Sequence, residues 1–560
     1  MKRHNLYFGL FCAALATMPA CSDEFLDTQS KTESNTDTFY KTEADAEEAL
    51  IGCYDGWQCT ISSAGAGIYL ASEFLGDHCF GAAGNGDARN WQVLDRFDQS
   101  ESSSDVNIFE TDWKNYYAAI YRCNELISRA GQINWTSDAV MGRVLGEACT
   151  IRAILYFDLA RLFGGVPIFT EPVNENKPRS EASEVYKLIV EDLNYAIANI
   201  PATAYPVENN NTTDGRITKY AAEALLARVY LFYTGYYGTE PEGCTKAQAL
   251  EGLEDVIANG GYELETNFAD LWMAACTESA ADEYSWITTY AGKYYNSDGW
   301  HAGQGQLSKE FILNMKFNST QDYSGNNDGN CFQVYLGIRN VGVSPIAEGW
   351  GCCTVNPYFV NKFSGDPRLA ASVVDVASII SSDQYATAMT DWREYTGYTV
   401  RKYAPLCFYD GTRESVGLTL GEQHKNITYY IDYTVMRYAD VLLMAAELGS
   451  GNASSYLNQV HERAWGAGNT VALSQENIMK EREIEFAFEG LRYWDLLRQG
   501  VDVAASTIAE HQNGVKVISA GNDDMIVTSA GNITSKKGLQ QIPSNQITLS
   551  NGVLTQNQGW

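Results

Sequence analysis

Aromatic side chains flanked by amides and charges are the residues here best suited to chemistry, and that chemistry is recognition rather than bond breaking. Trp91 stands with Arg89 and Asn90 in a glycine-rich loop that follows the acidic stretch Glu73 to Asp77. Tyr294, Tyr295 and Trp300 form a second cluster, with Asn296 and Asp298 between them, and Trp350 stands between Gly349 and Gly351. A flat aromatic face can cover the C–H face of a pyranose ring, because its π cloud accepts those polarised hydrogens and excludes water. Asn, Asp or Arg groups then pair with the hydroxyls, and Asp77 and Arg89 are the charges read in that role. Each residue also has a plainer reading: a rim tryptophan packed on the scaffold, or a solvated loop charge. The glycines beside Trp350 make its loop pliable, while Cys352 and Cys353 point to burial. Trp272, Trp286 and Trp465 fall in periodic or strand-like contexts and are read as core.

Catalytic equipment is sparse. His461-Glu462 is followed by Arg463-Ala464-Trp465, so the second histidine of a zinc protease is missing, and no G-x-S-x-G elbow or phosphate-binding P-loop occurs. Glycosidases need two carboxylates about 5–10 Å apart, and among 70 acids some pair always meets that distance. Glu481 and Glu485, one helical turn apart beside Arg482, fit ion pairing within a helix array better. The loop from Asp322 to Asn330 hints at calcium through Ser324, Asn326, Asp328 and Gly329. It lacks the first carboxylate and puts Tyr335 where the bidentate glutamate belongs, so neither a metal nor a cofactor is expected.

The 560 residues carry a formal net charge of −31. A field of that sign repels phosphate backbones, which argues against nucleic acid and favours a neutral ligand. Lys2 and Arg3, an apolar run from Leu6 to Ala16, and Thr17-Met18-Pro19-Ala20 precede Cys21. The run is far shorter than the roughly 20 residues that cross a bilayer, so residues 1–20 read as a signal peptide and Cys21 as a lipidation site. Ordinary cleavage after Ala20 is the alternative. Thirteen cysteines with irregular spacing define no disulfide framework and read mostly as buried small hydrophobes.

Behind these candidates the elements are mainly α. A polar tether over 21–37 leads into a helix at about Phe39 to Tyr54. Apolar residues recur every three or four positions from Met141 to Phe163, from Val185 to Ile200 after Ser183 as N-cap, from Thr218 to Tyr233, and from Thr245 to Asn259. The second and third of these read as a hairpin. Paired helices of this length with small residues at their contacts suggest tetratricopeptide-like units, without a strict 34-residue period. From about 276 to 435 glycine-, asparagine- and aspartate-rich loops take over, and ligand contacts concentrate in such loops on rigid scaffolds. Helices return at Tyr438 to Leu448, Ala453 to Trp465 and Glu476 to Phe488.

Several stretches together resemble the SusD/RagB family of outer-membrane nutrient-binding lipoproteins. Arg152 to Phe163 followed by Gly-Gly-Val-Pro-Ile168 matches the family's arginine, aromatic and Gly-x-Val-Pro helix ending. Asp192-Leu193, Ile200-Pro201, Gly215 to Thr218, Ala222 to Leu231 and Asp366-Pro367-Arg368-Leu369 continue the pattern in order. Met436 to Glu447, Arg463-Ala464, Glu481-Arg482, Phe488 to Arg492 and Trp494 to Arg498 form the most specific block. Ser22 to Asp27, after the cysteine, resembles surface-exposed lipoproteins of the Bacteroides group.

The resemblance implies one SusD-like domain over 38–560, with a tetratricopeptide-like helical scaffold at about 38–275 and 436–500 and a loop-rich insert between them. It implies a non-enzymatic, lipid-anchored protein at the outer membrane that captures glycan and delivers it to a SusC-like TonB-dependent transporter. It also implies that the loop of Trp91, and the loop of Tyr294, Tyr295 and Trp300, supply the ligand contacts. Peptide or glycoprotein cargo is the alternative within the family, and a surface-anchored glycoside hydrolase is the alternative outside it.

Overall fold

The computed structural model describes residues 39–62, 67–87, 89–206, 215–272, 295–296, 299–300, 308–317, 329–342, 346–405 and 431–560. The signal and tether over 1–37, Tyr294, Asp298, Trp286 and the calcium-like residues Asp322 to Asp328 lie outside them. Among the described residues no helix is long and apolar enough to cross a membrane.

The first half is built from α1 (Glu43–Ser62), α2 (Gly67–Leu75), the short α3 (Asn90–Asp95), α4 (Glu110–Arg129), α5 (Asp138–Phe163), α6 (Ala182–Asn199), α7 (Lys219–Tyr237) and α8 (Lys246–Asn259). Their starts follow from local chemistry. Ser137 and Thr218 accept the amides of Val140 and Ala221, and Thr245 with Gln248 forms a capping box. α1 passes the expected end at Tyr54 because Trp57 and Ile61 continue its buried face. α7 runs on to Tyr237, where Gly238 takes φ 76° and stops it. Ser183 is not a cap: α6 begins at Ala182, with Glu181 extended before it and no side-chain cap.

The main helix pairs are α1 with α4, α5 with α6 and α7 with α8. α6 also touches α7, the pairing the sequence suggests, but α5 is its principal neighbour. Arg152 of α5 grips Asp192 of α6 through Nε at 2.8 Å and Nη2 at 2.6 Å, and reaches Asn124 Oδ1 of α4 at 2.7 Å.

The second half adds α9 (Phe332–Leu336), α10 (Pro357–Lys362), α11 (Tyr438–Glu447), α12 (Ala453–Trp465), α13 (Gln475–Glu485), α14 (Arg492–Leu497) and α15 (Val501–Gln512). A small antiparallel sheet joins the halves, with β1 (Cys79–Phe80), β2 (Thr354–Val355), β3 (Val373–Asp375) and β4 (Tyr398–Val400) in the order β1-β2-β4-β3. Phe80 faces Thr354 across the first pair, which lays the loop after β1 beside the loop before β2. One hydrophobic core runs from Tyr40 to Leu554. Around α13 the core is ionic: Glu485 meets Arg368, Arg437 and Arg463, Arg482 meets Asp440 and Asp495, and Arg492 meets Asp77 and Glu483.

Candidate functional site

Trp91 lies on α3, in the loop that leaves β1. Gly81 presses against it: a β-carbon there would stand 2.6 Å from the Trp91 carbonyl oxygen, so only glycine fits. Asp95 Oδ2 accepts the Gly81 amide at 2.8 Å, and Gln92 Nε2 donates to the Gly81 carbonyl at 3.2 Å. Burial first, and then the Glu394 carboxylate beside it, push the Asp95 carboxyl well above its ordinary range. The Trp91 indole is partly buried, tilted on Phe74 at 5.5 Å and edge-on to Tyr335 at 5.4 Å. Tyr335 in turn meets Trp350 edge-on at 4.7 Å. Trp91, Tyr335 and Trp350 form one aromatic run, and Trp350 is its exposed end at 36 %.

The Trp350 loop is locked rather than pliable. Trp350 N donates to the Val334 carbonyl at 2.7 Å, its carbonyl accepts Arg339 Nη1 at 3.1 Å, and Gly351 N donates to Gly337. A β-carbon on Gly351 would lie 2.5 Å from Trp392 Nε1, which donates to the Gly351 carbonyl. The adjacent Cys352 and Cys353 are buried, yet they do not carry the tryptophan inward with them.

The remaining candidates divide. Arg89 is at the rim, its side chain 43 % exposed, bonded through Nη2 to Glu101 at 2.7 Å, and Asn90 beside it is partly exposed. Tyr295 and Asn296 pair antiparallel with Trp300 and Gly299 in a two-strand ribbon. Asp77 is not a hydroxyl-orienting residue. It is fully buried, held by Arg492 at 2.7 and 2.8 Å and by His511 Nδ1 at 2.7 Å. Burial opposes its ionisation, but Arg492, with His78 and His511, holds its carboxyl well below the usual range.

Tyr335 is the site residue that the sequence reading places elsewhere, in a calcium-like pattern. Glu481 and Glu485, the acid pair considered for catalysis, are buried and occupied by Arg368, His461, Arg437 and Arg463. Among the described residues no group of three or more His, Cys, Asp or Glu could hold a metal ion. Trp272 is buried, as expected, but Trp465 is 42 % exposed and not core. The arrangement therefore leaves the Trp350 indole exposed and Trp91 partly accessible, with Arg89 and Asn90 partly exposed beside Trp91.

Comparison with known proteins agrees with this architecture. Residues 309–560 match the profile of the SusD family, and residues 24–231 match a SusD-like profile described as starch-binding and associating with the outer membrane. SusD-like protein P2 of Formosa agariphila is 28 % identical over 525 residues, covering 89 % of this chain and 91 % of the relative. Surface glycan-binding protein A of Bacteroides fluxus superposes with a TM-score of 0.72 at 23 % identity, over 93 % of this chain and all of that one. The corresponding protein of Bacteroides thetaiotaomicron, in complex with laminarihexaose, gives 0.70 at 22 % identity, over 92 % of this chain and all of that one. With both halves matched in order and the helical fold shared along its length, the chain belongs to the SusD/RagB family.

Proposed function

We propose that this protein captures glycan at the bacterial surface without cleaving it, by stacking sugar rings on Trp91 and Trp350. The aromatic run through Tyr335 carries the reading, because it presents apolar faces at fixed spacing and so avoids the ordering cost that a loose loop would impose. Arg89 and Asn90 take hydroxyls at one edge, and Tyr294, Tyr295, Asn296 and Trp300 supply further ligand contacts. The glycan is neutral, in keeping with the negative field. Lipid on Cys21 holds the protein at the outer membrane, behind a signal peptide over 1–20 and a tether over 21–37. There it delivers its cargo to a SusC-like TonB-dependent transporter, whose fixed position makes a modest affinity sufficient. The glycan complex of its structural neighbour and the outer-membrane description of its family support this reading.

The test is native affinity electrophoresis of the protein from Ser22 onward in gels holding laminarin, starch, xylan, pectin or mucin. Wild type, Trp91→Ala and Trp350→Ala run side by side, with reducing ends assayed. Retardation by a glycan, weakened in both variants and without new reducing ends, is the expected result. Equal mobility of all three proteins in every gel overturns the reading and favours peptide cargo, whereas released reducing ends would make the protein a hydrolase.

A further inference from the structure

Trp465 ends α12 with its indole in solvent, at 42 % exposure, beside a cavity of about 240 Å³ that shares no residue with the Trp91 site. Gly466 turns the chain there at φ 87°, and Asn469 Nδ2 donates to the Trp465 carbonyl at 2.6 Å, so the ring is held on a braced helix end. His461, one turn earlier, lies nearly parallel to the indole at 21°, with centroids 6.0 Å apart.

The cavity floor is already paired. Glu481 accepts from Arg368 through one oxygen and lies 2.8 Å from His461 Nδ1 through the other. A carboxylate accepts there, so Nδ1 donates, and Nε2 is left for a ligand hydroxyl. Three further groups at the wall keep hydrogen-bonding capacity. Trp465 Nε1 has no partner among the described residues, exposed Lys480 makes no ion pair among them, and Asn477 donates to Ala472 at 2.8 Å but keeps its side-chain oxygen.

We propose that this cavity is a second carbohydrate site that takes a single pyranose unit. Its ligand class rests on the glycan-capture reading, but its residues are separate. One apolar face of a pyranose would lie on Trp465, and hydroxyls that both donate and accept would meet Lys480, Asn477 and His461 Nε2. The volume admits one ring rather than a chain or a folded peptide. A single unpaired ammonium is too little charge to select a phosphate-rich ligand. Two separated sites on one chain would give a long polysaccharide avidity that neither supplies alone.

Saturation-transfer NMR on the protein from Ser22 onward, with glucose, galactose, mannose, xylose, N-acetylglucosamine and glucuronate as probes, tests the site. Wild type, Trp91→Ala and Trp465→Ala are compared, with thermal melting as the folding control. We expect at least one pyranose whose signal persists in Trp91→Ala and falls roughly tenfold in Trp465→Ala, with melting unchanged. No signal that depends on Trp465 overturns the second site. If every signal depends on Trp91 instead, the second site fails and the principal reading stands. If no signal of any probe depends on Trp91, the second site stands and the first is removed.

Discussion

The Tyr335 ring meets two indoles edge-on, and among the described residues neither tryptophan has another aromatic neighbour that links it to the other. It acts as the spacer of the site rather than a face of it, since it is 4 % exposed. Tyr335→Ala should cost about 3–5 kcal/mol through the cavity it leaves, and should abolish glycan retardation. Tyr335→Phe keeps the ring and should keep both properties, as thermal melting and affinity gels would report. Equal binding by Tyr335→Ala would show that the two indoles hold their places unaided. Trp91 is legible from its neighbours in sequence, but Tyr335 is not, because its partners come from two distant loops. Asp77 misleads for the same reason: its acid is visible in the sequence, while the Arg492 and His511 that neutralise it are far along the chain.

Among the helices, Arg152 does for the scaffold what Tyr335 does for the site. One guanidinium joins α4, α5 and α6, and its charge is needed because Asp192 is buried with it. Arg152→Leu strands that carboxylate and should destabilise the fold by about 3–5 kcal/mol. Removing the acid too, in Arg152→Leu with Asp192→Leu, should restore most of the loss, because a hydrophobic pair needs no partner charge. Urea midpoints of the three proteins measure this, and a double variant no more stable than the single one would refute it. Helical periodicity predicts α5 and α6 to within about a turn, whereas α4 is not among the helices read from the sequence. Which helix each one packs against follows from such cross-links, which periodicity does not encode.

For the molecule as a whole, buried carboxyls of two kinds set the response to pH. Despite burial, arginines hold Asp77, Asp440 and Glu485 well below their ordinary values and Glu483 at about 2. These contribute stability that is present above the unfolded values near 4 and is lost as pH falls toward 2. Burial acts the other way on Glu73, raised to about 8, and Asp112, raised to about 6. Their folded forms bind a proton more tightly than the unfolded chain, so stability falls as pH rises from about 4 through those values. Urea midpoints should therefore peak near pH 5. Glu73 alone should remove about 3 kcal/mol between pH 5 and pH 8, and Glu73→Gln should flatten that limb. Equal midpoints at pH 5 and pH 8 in the wild type would contradict this account.

By itself the sequence determined the mainly helical class and most of the long helices, among them α5 to α8 and α11 to α13. Capping residues, glycine stops and apolar spacing are local, and in Arg152, Asp192, Glu481 and Arg492 it carried the ions that the fold buries. The tertiary structure decided which aromatics share a surface. Pairing of β1 with β2 sets the Trp91 loop against the Trp350 loop, and α9 slips Tyr335 between them. It also decided that Asp77 is a strut and that Trp465 faces solvent. Both outcomes depend on contacts between segments far apart in the chain, and residue type and spacing say nothing of such neighbours.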